Sequence, residues 1–120
     1  MYTRHLTGIS GEKLARDFLI QSGYSIVTTN YRCKTGEIDI IASKQNKLHF
    51  IEVKTRSSSK QGMPYEAYTY GKMKRLARAI QYYLTTERPS IKSYACDVLS
   101  ILYAEGRPII KLYKNAPMPL

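Results

Sequence analysis

The stretch GEIDIIASKQNKLHFIEVKTR, Gly36 to Arg56, sets Glu37, Asp39, Glu52 and Lys54 inside two runs otherwise rich in Ile, Phe and Val. Both runs have the composition of strands, Glu37 to Ser43 and Leu48 to Arg56, with turn-forming residues between them. Charges within such strands are costly unless paired, hydrogen-bonded or bound to a cation. Side chains alternate along a strand. That puts Glu37, Asp39 and Ile41 on one face with Ile38 and Ile40 opposite. On the second strand Leu48, Phe50, Glu52 and Lys54 share a face, and His49, Ile51 and Val53 lie opposite.

An antiparallel hairpin around a four-residue loop, Lys44 to Lys47, pairs Ser43 with Leu48, Ile41 with Phe50, Asp39 with Glu52 and Glu37 with Lys54. Apolar residues then meet apolar ones and charges meet charges, a match that a one-residue slip destroys. Like charges directly opposed are destabilising, so Asp39 against Glu52 calls for a cation between them. Lys54 supplies part of it, and a hard divalent ion that takes one or two carboxylates with water and phosphate oxygens supplies the rest. Such an ion polarises a phosphodiester and activates water, and a nearby ammonium stabilises the developing negative charge. Glu37 is read as an outer-edge salt bridge, with orientation of Lys54 or of a water as the alternative. A Glu-x-Lys pair alone is a weak surface ion pair. Asp39, the apolar flanks and the basic surroundings lift this one above that reading.

Working outward, Ser10 or Thr7 is placed as the cap of a first helix, in which Leu14, Ala15, Phe18 and Leu19 recur at helical spacing before Gly23 ends it. Glu12 then falls in or near the first turn, where the macrodipole alone accounts for a carboxylate. A strand at Tyr24 to Arg32 precedes the hairpin. Ser57 to Pro64 reads as a mobile loop. A second helix is expected from about Tyr65 to Thr86, with Met73, Leu76, Ala77, Ile80, Tyr83 and Leu84 as its apolar stripe. Its other face carries Lys72, Lys74, Arg75 and Arg78 without an acid, a pattern that suits an anionic partner. Strands at Tyr94 to Leu102 and Ile109 to Lys114 follow, with Gly106 and Pro108 marking the turn between them. Residues 1–116 are read as one domain and 117–120 as a disordered tail.

The chain has 120 residues and a formal net charge of +10, from 19 Lys and Arg against nine Asp and Glu. That balance points to nucleic acid as the partner. Cys33 and Cys96 lack metal or disulfide spacing and read as small buried or half-buried residues. His5 and His49 have no ligand spacing, so they are read as structural or surface residues and zinc is not expected. Asp97, in an apolar strand, is assigned as a hydrogen-bonded structural carboxylate. Among 11 tyrosines, Tyr82 and Tyr83 are read as packing or surface residues rather than base readers. The opening residues lack the apolar core of a signal peptide, and no apolar run approaches the roughly 18 residues of a membrane span. A cytoplasmic location and no membrane partner are therefore expected.

Glu12 in an early helix, Asp39 in one strand and Glu52-Val53-Lys54 in the next resemble the PD-(D/E)XK nuclease superfamily, which includes restriction enzymes and Holliday-junction resolvases. The chain more closely resembles the YraN-like (UPF0102) family. The likeness is carried by Gly11-Glu12, Asn30-Tyr31-Arg32, Gly36-Glu37-Ile38-Asp39, Phe50 to Arg56, Pro64-Tyr65-Glu66-Ala67, the lysine-rich second helix and Asp97-Val98. The resemblance implies an α/β fold of restriction-endonuclease type, with a central mixed sheet flanked by helices. It implies that Asp39 and Glu52 bind Mg²⁺ or Mn²⁺, that Lys54 is catalytic, and that Glu12 completes the metal shell or contacts a water. Ile38 stands where the superfamily signature has proline.

The expectation is a metal-dependent endonuclease acting on DNA, branched or damaged. Arg56, Lys60, Lys72, Lys74, Arg75 and Arg78 would draw in the phosphate backbone. A homodimer would present two sites for paired cuts. Two other readings stay open: a nucleic-acid-binding module of the same fold that does not cleave, and a structural protein docking on an acidic partner.

Overall fold

A computed structural model describes residues 4–56, 70–104 and 107–116, and of residues 4–10 and 104 it describes the backbone. Helix α1 (Arg4–Gln21) leads into strands β1 (Ser25–Cys33), β2 (Gly36–Lys44) and β3 (Lys47–Arg56). Helix α2 (Tyr70–Glu87) then precedes β4 (Tyr94–Ala104) and β5 (Arg107–Tyr113). The strands form one mixed sheet in the order β1-β2-β3-β4-β5, antiparallel except for the parallel β3–β4 pair. A parallel pair needs a crossover connection, and α2 lies within it.

The two helices cover opposite faces. Ala15 and Leu19 of α1 pack with Ile40, Ala42, Ile51, Leu99 and Ile101. Leu76, Ala79, Ile80 and Tyr83 of α2 pack with Ile38, Ile41, Leu48, Phe50 and Cys96. The middle strands are thus buried on both sides, which is why they read as nearly continuous apolar runs. The result is the α/β architecture expected from the sequence. Among the described residues no helix is long and apolar enough to cross a membrane.

Helix α1 ends as its sequence predicts. Gly23 has φ +94°, its amide donates to Ile20 O at 3.1 Å, and the Tyr24 amide donates to Leu19 O at 2.9 Å, the paired bonds of a Schellman cap. Its start is a correction. The helix runs from Arg4, so Thr7 and Ser10 lie within it rather than at its start, and Glu12 stands beyond the second turn. The macrodipole acts on the terminal turn, so it no longer accounts for Glu12.

The hairpin register is the one read from the sequence, with Ser43 opposite Leu48 and Ile41 opposite Phe50. The loop is shorter than expected, because Lys44 and Lys47 themselves pair. Gln45 (φ +50°) and Asn46 (φ +62°) make the turn, the two left-handed residues that match the twist of a hairpin. Likewise β4 and β5 pair out to Ala104 and Arg107, so Pro108 lies inside β5 opposite Tyr103 rather than in the turn. An edge strand tolerates a proline there. The expected loop at Ser57 to Pro64, the start of the second helix before Tyr70, Gly106 and the tail 117–120 lie outside the described residues.

Candidate active site

Ladder pairing between β2 and β3 runs from the turn to Ile40 opposite Ile51. Beyond it the expected oppositions of Asp39 with Glu52 and Glu37 with Lys54 do not continue the register. The Val53 amide instead donates to Asp39 Oδ2 at 2.8 Å, so a side chain occupies the place of a backbone acceptor. In β1, Asn30 adopts φ +53° and falls between the paired residues Thr29–Ile40 and Tyr31–Ile38. Alternation breaks at the same point. Ile38 and Ile41 both pack toward α2, whereas Ile40 and Ala42 pack toward α1. The face assignment made for β2 is therefore corrected: the strand turns over at Asp39. That for β3 holds, with Leu48 and Phe50 toward α2 and Ile51 and Val53 toward α1.

Two cavities flank this break. On the α1 side a small one of about 180 Å³ is bordered by Asp39, Glu12, Arg16, Thr29, Asn30 and Thr55. Helix α1 reaches it by close approach: a Cβ on Gly11 would lie 2.8 Å from Thr55 Oγ1, so the lack of a side chain there brings Glu12 to the sheet. On the α2 side a cleft of about 650 Å³ is bordered by Glu52, Lys54, Arg32, Lys72 and Arg75. Gly36 permits that packing, since with φ +155° a Cβ there would lie 2.9 Å from the Arg75 carbonyl oxygen.

Electrostatics single out Asp39. Burial, followed by the negative charge of Glu52, raises its carboxyl to about 6; Glu37 adds to the rise, and the Val53 amide and Lys54 oppose it. Lys54 Nζ lies 3.3 Å from Glu52 Oε1. The Lys72 ammonium is shifted downward, first by its close contact with the Lys54 amino group and then by the Lys54 charge. Two ammonium groups therefore meet beside Glu52, an arrangement that a phosphate oxygen would stabilise. Glu37 bonds to Arg32 Nε at 3.1 Å, the outer-edge pair expected of it.

A family model described as Uncharacterised protein family UPF0102 matches residues 11–101. A UPF0102 protein of Caldicellulosiruptor saccharolyticus is 41% identical over 111 residues, 91% of this chain and 94% of that protein. Another, of Lachnoclostridium phytofermentans, is 39% identical over 94% of this chain and 93% of its own length. The chain belongs to the UPF0102 family. The region shared with the UPF0102 model runs from Gly11, where α1 touches β3, into β4, and so contains Glu12, Asp39, Glu52 and Lys54.

In this UPF0102 chain the four bases of α2 do not act as one face. Lys72 and Arg75 border the cleft with Glu52 and Lys54. Lys74 and Arg78 border a separate groove with Tyr70, Tyr82 and Tyr94. Arg56 is half-buried at the end of β3, and its Nε is enclosed without a hydrogen-bond partner among the described residues. Lys60 lies outside the described residues. Glu12 and Asp39 share the α1-side cavity, but among the described residues no three His, Cys, Asp or Glu side chains converge into one cation-binding group. Arg16, Thr29, Asn30 and Thr55 at this cavity are not among the site residues assigned from the sequence, although Asn30 and Thr55 fall in stretches that carry the family likeness. Asn30, an αL-tolerant residue inside a run of strand formers, was the available signal.

The remaining candidates are structural. Asp97 is fully buried, 2.7 Å from His49 Nδ1 through Oδ2, and its Oδ1 accepts the Asn115 amide at 2.9 Å. This confirms Asp97 as a hydrogen-bonded carboxylate and gives His49 its partner. Cys96 is buried and Cys33 half-buried; both are free thiols. Burial, then the Asp97 charge, pushes the Cys96 thiol up to about 12, which leaves it inert.

Proposed function

We propose that this UPF0102 protein is a metal-dependent nuclease that hydrolyses phosphodiester bonds in DNA, with branched or damaged DNA as its substrate. The observation that carries this reading is the Asp39 carboxyl, raised to about 6 by burial and Glu52 at the point where β2 and β3 part, while Glu52 itself lies 3.3 Å from Lys54, which meets Lys72. Two carboxylates that repel one another fit a hard divalent ion, which takes one or two carboxylates and keeps water and phosphate oxygens as its other ligands. Asp39 and Glu52 would hold it. Bound Mg²⁺ or Mn²⁺ supplies Lewis-acid polarisation of the phosphate and a more acidic water.

The chain's own groups supply the rest. Lys54, held at Glu52, faces the charge that develops on the phosphate. Lys72 and Arg75 grip the flanking backbone in the same cleft. Glu12, in the cavity shared with Asp39, orients a water. The Val53 amide fixes one Asp39 oxygen and leaves the other for ligation. Such an enzyme works in the cytoplasm, and a homodimer would place two sites on a symmetric junction.

The test is cleavage of labelled linear, single-stranded, flapped and four-way-junction DNA in Mg²⁺ or Mn²⁺, beside Asp39→Asn and Lys54→Ala proteins. Metal-dependent cutting lost in both variants supports the nuclease. Intact binding without cutting, indifferent to metal and to Asp39→Asn, replaces it with a binding module, a reading that the basic cleft of Lys54, Lys72 and Arg75 also favours.

A further inference from the structure

Three tyrosines scattered in sequence border one groove beside α2. Tyr70, Tyr82 and Tyr94 are 62%, 50% and 41% exposed, unusual for side chains of this size. They border a groove of about 900 Å³, within the roughly 300–1,000 Å³ range of ligand sites. Two of the rings are braced from behind: Tyr82 leans on Tyr31 at a centroid distance of 6.5 Å, and Tyr94 stands edge-on to Phe50 at 5.5 Å. A braced ring loses little conformational entropy when a ligand covers its free side.

Charge in the groove has one sign. Among the described residues Lys74 and Arg78 border it and no acid does, and the Lys74 ammonium sits 5.4 Å from the Tyr70 ring centroid. Fixed aromatic rings alternating with cations fit a ligand that is itself alternately flat and anionic, which is the chemistry of unpaired nucleotides. A duplex keeps its base faces stacked and offers only phosphates. Thr35, in the β1–β2 turn, borders both this groove and the cleft of Glu52 and Lys54, so the two sites adjoin.

The geometry points to a binding site for single-stranded nucleic acid in this groove, with Tyr82 and Tyr94 stacking bases while Lys74 and Arg78 hold the intervening phosphates. The inference deepens the nuclease reading and rests on it for its purpose: the enzyme would select substrates that carry an unpaired segment next to the scissile backbone.

The experiment is fluorescence anisotropy of labelled oligo-dT, oligo-U and a duplex of equal length, measured in EDTA so that nothing is cut. Tyr82→Leu and Tyr94→Leu are each expected to weaken single-strand binding about tenfold, within the roughly 5- to 150-fold that stacking of one base spans. Duplex binding should change less than about twofold, because its phosphate contacts remain. The dT and U arms decide between DNA and RNA, and tyrosine-dependent binding of either supports the site. Equal losses on duplex and single strand, no loss on either, or no single-strand binding by the parent protein would overturn it. Should Tyr94→Leu fail to fold, Tyr82→Leu on the exposed face of α2 carries the test. Tyrosine-dependent binding without cleavage in Mg²⁺ removes the nuclease reading and leaves this site standing. Cleavage with tyrosine-independent binding does the reverse.

Discussion

Asp39 accepts the Val53 amide at 2.8 Å, and this one bond ends the β2–β3 ladder where two carboxylates would otherwise stand directly opposed. The backbone donor that Val53 would give a partner strand is satisfied by a side chain, so the strands part without leaving a buried polar group unmet. The chemistry-bearing end of the hairpin is an opening in the sheet rather than a continuous face.

Asp39 makes stability fall as pH rises. Its carboxyl titrates near 6 in the folded chain, against 3.8 for the free group, so the native state binds the proton more tightly. Between those values the folded state progressively loses that advantage. In EDTA, Asp39→Asn is expected to match the parent protein near pH 4 and to exceed it above pH 7 by about 1–3 kcal/mol. Urea denaturation at the two pH values measures this, and a variant less stable than its parent at pH 7.5 would contradict it.

If Asp39 and Glu52 share a divalent ion, Mg²⁺ or Mn²⁺ should raise the melting temperature at pH 7.5, as any ligand of the native state alone does. The gain is about 2.7 kcal/mol at a hundredfold excess over Kd. Glu52→Gln should abolish the shift while keeping the side-chain volume. A shift retained in that variant places the ion elsewhere.

Gly11→Ala should cost about 1–2 kcal/mol, because the added Cβ meets Thr55 Oγ1 at 2.8 Å. The higher helix propensity of alanine offsets part of this. In a Thr55→Ala background the cost should largely vanish, a coupling that a double-mutant cycle reads directly. Additive effects would mean that α1 does not approach β3 through this pair.

Lys72→Ala and Arg75→Ala should each weaken DNA binding and lower the slope of log K against log salt by about 0.9, the value for one lost phosphate contact. An unchanged slope in either protein shows that the cleft does not carry the backbone.

Asp97→Ala should destabilise the chain by about 3 kcal/mol or more, since it leaves His49 enclosed without its partner and the Asn115 amide without its acceptor. Cleavage by the folded fraction should be unaffected. Activity lost without a fall in stability would move the pair from scaffold to site.

Much of the hairpin was legible in the order of residues because strand pairing is local. Ile41 can meet Phe50, and Ser43 can meet Leu48, only if the apolar positions alternate in phase on both strands, and a period of two makes any slip visible. The end of α1 was legible for the same reason, since Gly23 acts on bonds within its own turn. The start of α1 was not, because helical residues from Arg4 onward include Thr7 and Ser10, which serve equally well as caps.

What the chain order left open depends on neighbours distant in sequence. His49 looked solitary because Asp97 stands 48 residues away and reaches it through the parallel β3–β4 pairing. Lys72, Lys74, Arg75 and Arg78 read as one basic face. Docking α2 against the β1–β2 turn made α2 a ridge, with Lys72 and Arg75 toward Glu52 and with Lys74 and Arg78 toward the tyrosines. The break at Asp39 likewise follows from a contest between a side chain and a carbonyl for one amide, settled by how β1, β2 and β3 meet. Periodicity records which residues a strand or helix can bury. It does not record which of two partners, brought together by the fold, takes the bond.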